Sequence, residues 1–192
     1  GVDKRVMNMA ALVPGGKSQA NVFGAVIQER TFSGSTVFEW KSLDHIPVVD
    51  ATEDTDLTQP TIDYIHVNSV FREANGDFLI SCRHTDEIIK VSRLTGQVLW
   101  RMGGEKSKGN QFTFIDDETD GFTGFSHQHD VSRTANGNII LFDNGNLKPS
   151  PPNPSSRVAE YEVNETAKTA KLVWSYRPTP DVHAMTMGSV QE

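Results

Sequence analysis

Two stretches 61 residues apart carry the same hairpin, and that repetition narrows the folds open to this chain more than any other feature. Val-Phe-Arg-Glu-Ala-Asn-Gly-Asp-Phe-Leu-Ile at 70–80 reads as strand, turn, strand. Val-Ser-Arg-Thr-Ala-Asn-Gly-Asn-Ile-Ile-Leu at 131–141 reads the same way. Asn-Gly between apolar strands is the strongest short-range hairpin signal, because a type I′ turn needs positive φ at both central residues. Asn75-Gly76 and Asn136-Gly137 are therefore expected to form type I′ turns.

Each hairpin is followed by another. Ile88-Ile89-Lys90-Val91 turns at Leu94-Thr95-Gly96 and returns as Gln97-Val98-Leu99-Trp100. The strand at 158–163 turns near 164–168 and returns as Lys171-Leu172-Val173-Trp174. An earlier pair, 25–29 and 36–40, supplies only the outer half of such a unit and ends on Trp40. Four strands per repeat is the pattern of a β-propeller blade. The expected fold is all-β: a β-propeller fragment of four-stranded antiparallel blades, in one partial domain over 1–192. Two blades are full, at about 67–104 and about 129–177. A remnant lies at about 21–66 and the start of a further blade at about 186–192. Propellers close with about four to eight blades, so the missing ones are expected from the rest of the protein or from another chain. A small free-standing β-sandwich is the alternative.

Trp40, Trp100 and Trp174 are read as packing residues between blades. The repeat is longer than an ordinary blade of about 40–45 residues. The surplus falls at 110–124 and at 148–156; the second is Pro- and Ser-rich and reads as a loop, and long loops of a propeller usually sit at one mouth of the channel.

Composition limits the partners. Net charge is −7, which argues against nucleic acid and anionic membrane and confines any anion site to a local pocket. No apolar run approaches the roughly 20 residues of a membrane helix. The single cysteine, Cys82, permits neither an internal disulfide nor a cysteine zinc cage. The chain opens on Gly1 without a signal peptide, which leaves secretion after signal removal open.

His66, Arg83 and His129 each open or close a strand of the repeat. Strands of a propeller converge, and two imidazoles with a guanidinium on one point make a site for a sulfuryl or phosphoryl oxyanion. One imidazole is then free to act as nucleophile. The bland readings are a core histidine for His66, a surface ion pair with Asp86 or Glu87 for Arg83, and a strand-capping turn for His129. Tyr64, Asn68 and Asn144 are assigned to contact substrate, Asn144 also as a partner that orients His129. His84 follows Arg83 directly, so strand alternation places it outside the site. His127 and His129 form His-x-His, which with His66 offers a three-imidazole metal site as the alternative. No carboxylate stands out as its outer partner, and no metal is assigned.

Six motifs stand in register with a known family. They are Asp-Tyr-Ile-His-Val-Asn-Ser-Val at 63–70, Leu-Ile-Ser-Cys-Arg-His at 79–84 and Gly-Gln-Val-Leu-Trp-Arg-Met-Gly-Gly at 96–104. Gln-His-Asp at 128–130, Leu-Phe-Asp-Asn-Gly at 141–145 and Ser-Arg-Val-Ala-Glu-Tyr at 156–161 complete the set. Together, over about 26–188, they resemble the arylsulfotransferase family. The resemblance implies a six-bladed propeller that moves a sulfuryl group from an aryl sulfate to a phenolic acceptor. It implies no nucleotide donor, no cofactor and a transiently sulfated histidine. His129 matches the nucleophile, and His66 and Arg83 match the second histidine and the arginine. A further family histidine has no counterpart here, and Tyr64 stands where the family motif has tryptophan. A periplasmic or secreted location follows from the resemblance alone. A non-catalytic propeller that binds a ligand or protein partner at the channel mouth is the alternative function.

Overall fold

The two Asn-Gly hairpins form, but with a different turn from the one expected. In the computed structural model, which describes residues 1–119, 121–149 and 155–191, Gly76 and Gly137 have positive φ (96° and 86°) and the asparagines before them do not. Gly76 N donates to Glu73 O at 2.9 Å and Glu73 N to Asp77 O at 2.8 Å. Gly137 N donates to Thr134 O at 2.9 Å and Thr134 N to Asn138 O at 2.9 Å, the same pattern. This is a type I turn followed by a left-handed glycine, the other common short hairpin. At Asn75 the reason is local: its Oδ1 accepts from Asp77 N at 3.0 Å, which turns the side chain onto its own loop.

The elements run β1 (Val2–Met7), β2 (Ala20–Arg30), β3 (Thr36–Lys41), β4 (Thr61–Asp63), β5 (Val67–Arg72), β6 (Phe78–Cys82), β7 (Glu87–Val91) and β8 (Val98–Gly103). They continue as β9 (Thr113–Ile115), β10 (Glu118–Thr119), β11 (Phe122–Thr123), β12 (His129–Arg133), β13 (Ile139–Asp143), β14 (Arg157–Asn164) and β15 (Thr169–Tyr176). Strands hold 44% of the described residues, and the 6% that is helical consists of short 3-10 turns. The chain is all-β, with the antiparallel sheets of a β-propeller fragment.

Two meanders, β5-β6-β7-β8 and β12-β13-β14-β15, are the four-stranded units that the repeat announces. The first sheet, β1-β2-β3, begins at Val2, and β4 runs parallel against β2. The stretch 110–124 is more than a loop. It supplies β9, which adds in parallel to β15, and the β10–β11 hairpin. Of 148–156, residues 150–154 lie outside those described.

Alternation along β6 and β7 shows how the sheets stack. Phe78, Ile80, Cys82, Ile89 and Val91 enter a core shared with Trp40, Ile62 and Tyr64 of the first sheet and its connections. Leu79 and Ile88 point the other way, into a core with Trp100, Val131, Leu141 and Tyr161. Period-two side chains thus bury both faces of the central blade, so all five residues of β6 and of β7 are buried. Trp40 and Trp100 pack between sheets as expected. Trp174 does not: it is 48% exposed and stacks on Tyr176 on the far face of the last blade.

Polar ties join the blades. Glu165 bridges Lys90 (2.9 Å) and Arg133 (2.7 Å), and both cations also meet Glu73. Ser69 Oγ on β5 accepts from Val131 N on β12 at 3.0 Å. Asp130 Oδ2 accepts from Val190 N at 2.7 Å, so the stretch after Gly188 lies beside β12 much as β12 lies beside β5. No helix among the described residues is long and apolar enough to cross a membrane.

Candidate functional site

His66 precedes β5 and Arg83 follows β6; His129 opens β12 and Asn144 follows β13. Antiparallel neighbours begin and end at the same edge, so all four lie at one end of the blade stack. Each blade is approached through a left-handed residue: His66 (φ 43°), His127 (φ 53°) and Met187 (φ 64°). Non-glycine residues rarely adopt this conformation, and at His66 and His127 aspartate side-chain oxygens hold it. Asp63 Oδ1 accepts from His66 N at 3.1 Å, and Asp86 Oδ1 accepts from His127 N at 2.7 Å.

His129 has a defined tautomer. Its Nδ1 faces two acceptors, Asn144 Oδ1 at 2.8 Å and His127 O at 3.1 Å. Nδ1 therefore carries the proton and donates. Nε2 carries the lone pair and accepts from Met187 N at 3.2 Å. Burial pushes the His129 pKa below the ordinary value, opposed by its bonds to Asn144 and His127 and reinforced by the charges of Arg83 and His66. By strand position the three predicted residues lie toward the same end of the blade stack.

Arg83 is half-buried on the 3-10 turn Arg83–Thr85. Its Nη2 donates to Met185 O at 3.3 Å, while its buried Nε has no partner among the described residues. Burial lowers the Arg83 pKa, and Asp54, Asp86 and Asp63 push it back up. The surface ion pair with Glu87 does not form, because Glu87 is buried against Arg101 at 2.7 Å.

His84 is where the sequence reading fails. A 3-10 turn does not alternate as a strand does, so His84 is not directed opposite Arg83 by strand alternation. Its ring packs on His66 with centroids 4.8 Å apart, and its Nδ1 lies 2.6 Å from Asp63 O. Asp63 Oδ2 in turn lies 2.6 Å from His66 Nδ1. Although burial pushes Asp63 up, the hydrogen bond and charge of His66 hold it below the ordinary carboxylate range.

The three-imidazole set is not assembled as proposed. Positive φ at His127 and Asp130 breaks the extended run, so His127 and His129 do not share a face. The buried His127 points Nε2 at Asp54 Oδ2 (3.2 Å) and Asp86 Oδ1 (3.7 Å). Asp54 is held below its ordinary range: burial opposes this, but bonds to His127 and Thr52 outweigh it. The fully buried Asp86 is pushed well up.

Tyr64, Asn68 and Asn144 are not free to contact substrate as assigned. Tyr64 is fully buried in the first core, and its hydroxyl donates to Ile46 O at 3.2 Å. Asn68 Nδ2 donates to Gln128 O at 2.7 Å, fixing the backbone that carries His129. Buried Asn144 accepts from Nδ1 of His129 at 2.8 Å and donates to Ala184 O (2.7 Å) and Met187 O (2.9 Å). Beneath it, Asp143 is locked by Lys148 (2.6 Å) and Arg157 (2.9 Å). Asp63, His84 and Met187 were not assigned from sequence; the Asp-x-x-His spacing of 63–66 was the available signal for the first.

The sheets are those of an all-β protein of the β-propeller type. The family model described as Arylsulfotransferase (ASST) matches residues 9–191, and the chain belongs to that family. The activity that membership supports is aryl sulfotransfer, with an aryl sulfate donor and a phenol acceptor. No curated protein matches the chain.

Proposed function

We propose that this protein transfers a sulfuryl group from an aryl sulfate ester to a phenol through a sulfo-histidine at His129, without a nucleotide. The observation that carries this is the tautomer of His129: Nδ1 is tied to Asn144 and His127, which leaves Nε2 as the lone-pair nitrogen. Its lowered pKa keeps that nitrogen unprotonated at neutral pH.

In the first half-reaction Nε2 attacks sulfur, the S–O ester bond breaks, and the phenolate leaves with the bonding pair. His66, held by Asp63, supplies the proton that the leaving oxygen takes up. The SO3 spreads charge over three oxygens, and Arg83 Nε is a buried donor free to meet one of them. Attack by Nε2 also releases the Met187 N–H from its hydrogen bond, and that amide becomes a second donor. In the second half-reaction His66 takes the proton of the acceptor phenol, the phenol oxygen attacks sulfur, the N–S bond breaks, and the lone pair returns to Nε2. We further read the stretch from Gly188 as the inner strand of a following blade, supported by the Val190–Asp130 bond that repeats Val131–Ser69.

The test is turnover of a chromogenic aryl sulfate. Wild-type protein releases phenol at a rate that rises with added phenolic acceptor, and His129→Ala releases none. Retention of activity in a folded His129→Ala protein contradicts the proposal. Binding of aryl sulfate without release favours the non-catalytic propeller.

A further inference from the structure

We propose that Asp63, His66 and His84 form a binding site for a divalent transition-metal ion. One ligating atom of each residue lies within 4.8 Å of the other two. Ligand atoms about 2.0–2.2 Å from a metal stand roughly 3–4 Å apart, so small side-chain rotations close the set. Those rotations are open to the two outer members, since the His66 and Asp63 side chains are 48% and 47% exposed.

The chemistry matches as well as the spacing. Metal-ligating histidines almost always commit the second ring nitrogen to a carbonyl or carboxylate, which fixes tautomer and orientation. His84 already does so: Nδ1 donates to Asp63 O at 2.6 Å, leaving Nε2 with the lone pair. Asp63 Oδ2 and His66 Nδ1 share one proton across 2.6 Å, and the cation takes that proton's place, releasing it to solvent. Two imidazoles and one carboxylate suit zinc, iron, cobalt or nickel rather than calcium or magnesium. Three protein ligands leave further coordination positions to water. This set differs from the His66, His127, His129 combination, since His127 is turned to Asp54 and Asp86.

Such an ion occupies the His66 ring that the sulfuryl chemistry uses, so zinc is an inhibitor of turnover. That consequence rests on the transfer reading; the binding does not. The test is therefore a binding measurement without substrate. The full chain, freed of metal by a chelator, is titrated with Co2+ near neutral pH while visible absorbance is followed, and Zn2+ is then added to displace it. One ion per chain is expected, with affinity falling about 10–100-fold or more in Asp63→Ala and in His84→Ala. His84→Gln keeps the polar volume of the turn and loses the same affinity, which separates ligand loss from misfolding. His45→Ala, which removes a ring stacked on Trp40, leaves binding unchanged. No binding at millimolar Co2+ overturns the proposal, as does undiminished affinity in folded His84→Gln.

Discussion

Replacing Asn144 with alanine probes the link between structure and chemistry most sharply. The buried amide makes three hydrogen bonds: from His129 Nδ1 at 2.8 Å, and to Ala184 O and Met187 O at 2.7 and 2.9 Å. At about 1 kcal/mol net for each, Asn144→Ala costs about 3 kcal/mol of stability. The catalytic effect is separate. The imidazole keeps only His127 O as a partner for Nδ1, so ring and tautomer are no longer fixed. A misplacement of about 1 Å costs about 10²-fold in rate, and kcat should fall by that order with folding intact. The pH profile supplies the readout that a merely structural role would not move. The Asn144 bond raises the His129 pKa against the lowering effect of burial. Removing it lowers that pKa further, so the acid limb of kcat moves to lower pH. Steady-state kinetics on an aryl sulfate across the acid range measures this. Wild-type kcat with an unmoved acid limb in Asn144→Ala refutes the orienting role.

Other perturbations test other links. Arg83→Lys replaces a planar fork with a point charge, and loss of one oxyanion donor costs about 10²–10³ in rate, read in the same assay. Asp86→Asn addresses a carboxyl whose folded pKa is raised by burial and by Asp54 and Asp143, against bonds from His127 and Ser126. A raised folded pKa means the unfolded chain ionises first, so wild-type stability falls as pH rises above the ordinary carboxylate range. Asparagine tolerates the left-handed backbone of residue 86, so the variant should be more stable than wild type at neutral pH, with the gap closing toward pH about 4 in denaturant titrations. Glu165→Ala removes the anion bridging Lys90 and Arg133 and should destabilise by about 1 kcal/mol, a partly exposed network in which both cations keep Glu73.

The strands were legible because period-two burial and glycine turns are local properties. Leu79 and Ile80 declare both faces of β6 buried before any partner is known. The common edge of His66, Arg83 and His129 was legible for the same reason, since repeated strands place equivalent residues at one edge. The turn type was not, because Asn75 bonds its own loop rather than adopting positive φ. His84 was misplaced because alternation was carried two residues past the end of β6, into a 3-10 turn. Tyr64 looked like a substrate contact because nothing in sequence tells a buried aromatic from a pocket aromatic; its hydroxyl has a backbone partner 18 residues away. The role of Met187 was hidden because a backbone amide leaves no mark in residue type.

The central claim is a covalent bond between His129 and sulfur. It is tested by brief exposure of the protein to an aryl sulfate without acceptor, rapid quenching at alkaline pH, proteolysis and mass spectrometry. The account predicts one SO3 on the peptide carrying His129, lost on addition of a phenol and missing from His129→Ala. A label on any other residue, or steady turnover with no labelled enzyme formed on the catalytic timescale, contradicts it.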